Sequence, residues 1–276
     1  MTIKTTATEK GMIEYCLHGQ GRTILIIHGG HINCREAIFQ KRLDPNKFCF
    51  LTPSRPGYGN TPLTETNKTP KQAAELYVAL LDKLQKKRVT VIGISAGGLT
   101  ALEIAANFPD RVDNLVLMSA LTKKWFTETD KTYRSSKIIF NPKIERITWL
   151  FYKLFFSLLP KSMTRIMFKA LSKYRPVQYT QTEFHELKQM IINMRSGQGF
   201  YNDLDQNIDQ EILQKIVCPT LIVHSNTDNQ VDVSHAQNAK DKIKNSNLTI
   251  FNNRWGHMLW FGDEYELVLA KLKSFV

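Results

Sequence analysis

The sequence predicts an α/β protein, a mostly parallel sheet flanked by helices, and three observations carry that reading. Short continuous apolar runs alternate with helical patterns up to about residue 120. The same alternation resumes after residue 212. Between two of those elements, a strand-like run and an Ala-rich helical pattern, sits the sequence Gly93-Ile94-Ser95-Ala96-Gly97. Runs that are apolar at every position suit strands covered on both faces, and strand–helix alternation winds such strands by right-handed crossovers.

In chain order, "MTIKTTATEKGM" is polar and has no apolar stretch of signal-peptide type, so a cytoplasmic chain is expected. The runs "TILIIH" (23–28), "FCFLT" (48–52), "VTVIG" (89–93) and "NLVLMS" (114–119) read as strands. Between them "TPKQAAELYVALLDKLQ", with Pro70 directly after a Thr cap, and "AGGLTALEIAANF" read as helices. After residue 212 come the strand "PTLIVH" (219–224), the helix "VSHAQNAKDKIK", the strand "LTIF" (248–251) and a terminal helix from about Asp263. Residues 121–212 lack a convincing strand, and Pro142, Pro160 and Pro176 divide them into basic, apolar helical pieces. They read as a helical cap, or lid, inserted into a core made of residues 1–120 and 213–276.

With 276 residues, 42% of them hydrophobic, the chain can bury a large core. Its net charge of +12 is concentrated: residues 121–175 carry thirteen Lys or Arg against Glu128, Asp130 and Glu145. A local basic block beside aromatic residues suits an anionic surface, an acidic partner or an anionic substrate better than nucleic acid, which is not expected to bind. Within this block, "ITWLFYKLFFSLLP" (147–160) is apolar over most of its circumference. As a helix it is about 20 Å long against about 30 Å of bilayer hydrocarbon, so it does not span. It calls for a second partner, and another copy in a homodimer formed through the cap is expected ahead of a peripheral contact with the inner membrane surface. Cys16, Cys34, Cys49 and Cys218 have neither metal-site nor disulfide-framework spacing and read as free thiols.

The chemistry-bearing signal is the G-x-S-x-G pattern in its setting. A strand enters it and an Ala-rich helix leaves it, the context of a nucleophile elbow, where neighbours without bulk let strand and helix close on a strained serine. A serine needs a base, and the base an orienting acid. Asp228, in the loop after "PTLIVH", supplies the acid, with Asp232, Asp203 and Asp205 as alternatives. His257, in "NRWGHMLWF" beyond the next strand, supplies the base.

The chain resembles the α/β-hydrolase-fold serine hydrolases of the carboxylesterase and lipase type over its whole length. The resemblance rests on "HGGH" (28–31), "SRPGYGNTP" (54–62), "GISAGG" (93–98), "PTLIVHSNTDNQV" (219–231) and "WGHM" (255–258). In its Lys- and Asn-rich flavour the sequence is distantly similar to the fluorophosphonate-binding serine hydrolases of staphylococci. The resemblance implies an oxyanion hole made by the backbone N–H groups of Gly30 and Ala96. Where many relatives have proline, His31 stands here, which weakens a proline-iminopeptidase reading. Ser95 in place of aspartate argues against dehalogenases and epoxide hydrolases.

The resulting expectation is a cofactor-free and metal-free esterase that cleaves small hydrophobic acyl esters with Ser95, His257 and Asp228. Trp125, Phe126, Trp149, Phe151, Phe155 and Phe156 of the insertion are expected to line the acyl pocket, together with His31 and Met258. A thioesterase, lactonase, C–C hydrolase or perhydrolase would use the same groups, and a non-catalytic ligand receptor could retain the fold.

Overall fold

A computed structural model describes residues 2–36, 38 and 42–276. Eight strands form one sheet in the order β1-β2-β4-β3-β5-β6-β7-β8. They are β1 (Thr2–Thr8), β2 (Gly11–Gly19), β3 (Arg22–Ile27), β4 (Phe48–Pro53), β5 (Val89–Ile94), β6 (Val112–Met118), β7 (Thr220–Ser225) and β8 (Ser246–Phe251). From β4 to β8 every neighbouring pair is parallel, whereas β1–β2 and β2–β4 are antiparallel. The polar N-terminal stretch, which gave no strand signal, is therefore an edge hairpin. β1 faces solvent along most of its length, so it has no apolar alternation to read.

The two sheet faces follow the period of two along the strands. Leu25 and Ile27 point to one face with Val91, Leu115, Leu117 and Ile222. There they meet α1 (Pro70–Lys83), α2 (Gly97–Asn107) and, through Ala236 and Ala239, a third helix at Ser234–Lys242. Ile24 and Ile26 point to the other face with Ile92, Val116 and Val223, against Val268, Leu269 and Leu272 of the terminal helix Tyr265–Lys273. Helix α1 starts where its sequence says it should. Thr69 Oγ1 accepts a hydrogen bond from the Gln72 amide, the Gln72 side-chain oxygen accepts one from the Thr69 amide, and Pro70 needs no donor in the first turn.

Between β6 and β7 lie α3 (Lys131–Ile139), α4 (Glu145–Leu158), α5 (Pro160–Leu171), α6 (Gln181–Asn193) and the short α7 (Gly199–Asp203). The helices at 234–242 and 265–273 are then α8 and α9. Pro142 falls between α3 and α4, Pro160 opens α5, and Pro176 lies between α5 and α6. The helical segment buries Phe156, Met163, Phe168, Leu187 and Ile191 together with Trp255 and Phe261 from the loop after β8. Among the described residues no helix is long and apolar enough to cross a membrane.

Candidate active site

The loops at the carboxyl ends of β3, β5, β7 and β8 converge on one point, where ligands of open α/β sheets bind. Ser95 directly follows β5 with φ +51° and is buried. Its amide donates to Met118 O at 3.2 Å, and its carbonyl accepts from Gly98 at 3.0 Å and Leu121 at 2.9 Å, so the end of β6 holds the turn in place. Gly97 admits the turn because any Cβ there would collide with the carbonyl oxygens of Ile27 and His28. Ala96 sits at the N-cap of α2, directly beside Ser95, where the first turn's N–H groups lack partners within the helix.

His257 Nε2 lies 3.0 Å from Ser95 Oγ, and His257 Nδ1 lies 2.9 Å from Asp228 Oδ2. Asp228 Oδ1 accepts from the amides of Gln230 at 2.8 Å and Val231 at 2.9 Å. Burial pushes the Asp228 pKa up. His257, His224 and the Val231 amide together outweigh burial and hold the carboxyl below its ordinary value. An ionised Asp228 only accepts, so the His257 proton sits on Nδ1 and the Nε2 lone pair faces the serine hydroxyl. The other candidate acids are placed elsewhere. Asp203 pairs with Arg55 and accepts from Tyr58 Oη at 2.6 Å, Asp205 binds Tyr133 and Lys137, and Asp232 accepts from the Ser234 amide.

The "HGGH" loop is rigid for a visible reason. His28 Nδ1 donates to Gly29 O at 2.7 Å and Nε2 accepts from the Arg55 amide at 3.0 Å, which fixes a neutral ring. Burial and then Arg55 push its pKa down to about 3. His28 thus holds the loop and stands apart from the reacting groups. The thiols do not enter the site: all four cysteines are buried, and burial pushes Cys34 up to about 12.

Ser95 and His257 open onto a cavity of about 100 Å³ lined by Gly29, Gly30, His31, Ile32, Glu36, Trp125, Met167, Leu171, Met190, Met194, Phe200, Gln230, Met258 and Trp260. His31 and Met258 are at the wall, as is Trp125, but Trp149 and Phe155 are not. Trp149 is buried behind His31, 5.3 Å from its ring, and its indole N–H donates to Ser196 Oγ at 2.7 Å. Ser196 Oγ in turn lies 2.8 Å from His31 Nδ1. Burial among these rings pushes the His31 pKa down to about 3. Phe155 is 46% exposed on the outside of α4, as is Phe151, and Phe156 packs inside the helical segment. On a helix apolar nearly all round, sequence could not tell the inward side from the outward one. The walls that the helical segment does supply include Met167, Leu171, Met190 and Met194. The i, i+4 pairs Met167/Leu171 on α5 and Met190/Met194 at the end of α6 were the signal available in the sequence.

Comparisons with known proteins agree with this architecture. The family profile of the alpha/beta hydrolase fold matches residues 22–140. The chain is 39% identical over 272 residues to the uncharacterized hydrolase YcgS of Bacillus subtilis (strain 168), covering 95% of this chain and 94% of that protein. Among solved structures it is similar to an alpha/beta hydrolase fold protein from Nakamurella multipartita, with a TM-score of 0.78 at 23% identity over 99% of this chain and 98% of that one. It is also similar to an esterase, EaEST, from Exiguobacterium antarcticum, with a TM-score of 0.75 at 19% identity over 99% of each chain.

Proposed function

The chain belongs to the α/β-hydrolase family, and on that premise we propose that it is a serine esterase that cleaves small hydrophobic acyl esters. The observation that carries this reading is the hydrogen-bonded line Ser95–His257–Asp228 at the floor of an apolar cavity. Ser95 Oγ attacks the ester carbonyl while His257 Nε2 takes the hydroxyl proton. Asp228 holds the resulting imidazolium. The carbonyl oxygen gathers negative charge and is met by the amides of Gly30 and Ala96, each such donor being worth about 10²–10³ in rate. The tetrahedral adduct collapses, His257 passes its proton to the departing alkoxide, and the acyl group stays on Ser95. Water, deprotonated by His257, then releases the acid and restores the serine.

The cavity, about 100 Å³ and walled by methionines and tryptophans, suits a short acyl chain. The test pairs covalent labelling by a fluorophosphonate probe with an acetate-to-octanoate series of p-nitrophenyl esters. Labelling and hydrolysis should both vanish in Ser95→Ala, with a loss of about 10⁴–10⁶ in kcat. Activity surviving in that variant removes the mechanism, and an optimum on charged, hydrophilic esters removes the substrate class.

A further inference from the structure

Helix α4 turns Trp149 and Phe156 inward, yet its outer side is apolar as well. Ile147, Leu150, Phe151, Leu154, Phe155 and Leu158 are 46–65% exposed and lie at i, i+3, i+4, i+7, i+8 and i+11. That spacing puts them in one stripe about 16 Å long. Leu159 and Ile166, both exposed, extend it onto α5. Isolated exposed apolar residues are ordinary, but a continuous stripe of this size marks a contact surface.

The rim says what kind of contact. Lys143 and Arg146 stand at one end of the stripe, Lys161 and Arg165 at the other, and all four are exposed. None of them is ion-paired to another described residue. From Lys131 to Leu171 the sole carboxylate is Glu145, which is buried and bound to Arg195 at 2.7 Å. A second copy of the chain fits this surface poorly. Packed antiparallel, α4 would set the Lys143/Arg146 end of one chain over the Lys161/Arg165 end of the other. Packed parallel, it would set like ends together. Either way cation meets cation with no carboxylate between them. An anionic bilayer supplies both missing terms, hydrocarbon for the stripe and negative headgroups for its two ends.

We propose that the outer face of α4 and the start of α5 docks in the plane of an anionic lipid surface, the stripe buried at the headgroup boundary and the four cations on the lipid phosphates. The docking is independent of the chemistry assigned to Ser95, so it stands or falls without it.

Co-sedimentation of the full chain with vesicles tests it. Binding to phosphatidylcholine vesicles containing about one third phosphatidylglycerol should exceed binding to pure phosphatidylcholine at least about tenfold and weaken with salt. Phe151→Glu with Leu154→Glu should abolish binding, and Lys161→Glu with Arg165→Glu should remove the preference for the anionic vesicles. Both pairs are exposed and away from the cavity walls, so p-nitrophenyl ester hydrolysis and melting temperature should be retained. Three results would overturn the proposal: no sedimentation with either vesicle, sedimentation unaffected by the Phe151/Leu154 change, or a light-scattering dimer dispersed by that change in a chain that ignores vesicles.

Discussion

The sheet core and the helical segment between β6 and β7 put similar proportions of apolar residues to opposite ends. In the core, β3 to β7 and helix α2 are consumed by internal packing, and every residue of α2 from Gly97 to Ala106 is buried. In the helical segment, α4 buries only Glu145, Trp149 and Phe156 of its fourteen residues, and α3 buries none. The core supplies Ser95, Asp228 and His257, whereas the helical segment supplies methionine walls and an outer surface. A region packed to one solution can hold atoms within the tolerance chemistry needs, and a loosely packed one is free to set what enters and where the molecule sits.

The two regions are nevertheless joined at the site. The Leu171 carbonyl at the end of α5 accepts from the His257 amide at 3.0 Å and the Asn229 amide at 3.2 Å, and the Lys173 amide donates to Thr227 O at 2.7 Å. On the other side of the cavity, Asp203 of α7 grips Arg55 and Tyr58 of the core. Both seams are built from groups of the acid loop, the histidine loop and the "SRPGYG" turn.

The largest effect should come from a core change that leaves packing intact. In Asp228→Asn the side-chain oxygen is held by the Gln230 and Val231 amides, which turns the NH₂ toward His257 Nδ1. The imidazole must then carry its proton on Nε2, facing Ser95, where it cannot act as a base. A fall in kcat of about 10⁴ is expected, with little change in melting temperature. A loss under tenfold would mean that the core does not fix the tautomer and that the contrast between the regions is overstated.

How much of this was legible in the sequence divides along the same line. β3 to β8, the elbow at Ser95 and the order Ser95, Asp228, His257 could be read because continuous apolar runs and glycine-flanked turns have few alternative uses. The β1–β2 hairpin could not, since an exposed edge strand needs no apolar face. Trp149 and Phe155 were misplaced at the cavity for the opposite reason. Sequence periodicity identifies a face only when the rest of the helix is polar, and α4 offers two apolar faces. The walls from α5 and α6 depend on how helices lean over the sheet, a tertiary property.

A seam change should have a smaller effect that falls on both regions. Gly256 has φ +54°, and a Cβ there would lie 2.6 Å from Thr227 O, 2.7 Å from Leu171 O and 2.9 Å from Ser172 Cα. Gly256→Ala must push α5 away from the loop that carries His257. Stability should fall by about 1–3 kcal/mol, and kcat/KM by about 10- to 100-fold through misplacement of the imidazole. Thermal unfolding combined with ester kinetics checks this. Unchanged kinetics in a destabilised protein would show that the seam supports the fold without positioning His257.

The smallest step, taken per residue and per pH unit, is graded and uses pH to load the buried histidines. His28 and His235 are both buried in the core. Burial and Arg55 push His28 down to about 3, and burial and Lys123 push His235 down to about 4. Charging His28 would place a second proton against the Arg55 amide, and charging His235 would do the same against the Thr122 amide, which donates to its Nδ1 at 3.0 Å. The unfolded chain binds these protons near pH 6.5 and the folded chain does not. Stability therefore falls as pH drops from about 6.5 toward the folded values, by up to about 1.4 kcal/mol per pH unit for each histidine. Residues 121–212 hold a single histidine, the exposed His185, so the buried imidazoles that acid must charge all come from the core sequence, with His31 charging at the seam against Trp149 and Ser196. The melting temperature should decline between pH 7 and pH 5, and His28→Gln should flatten that decline by one proton's worth of slope whatever it does to stability at pH 7. A flat wild-type profile over this window would mean that water reaches the ring of His28, and the core would then be no more tightly closed than the helices that cover it.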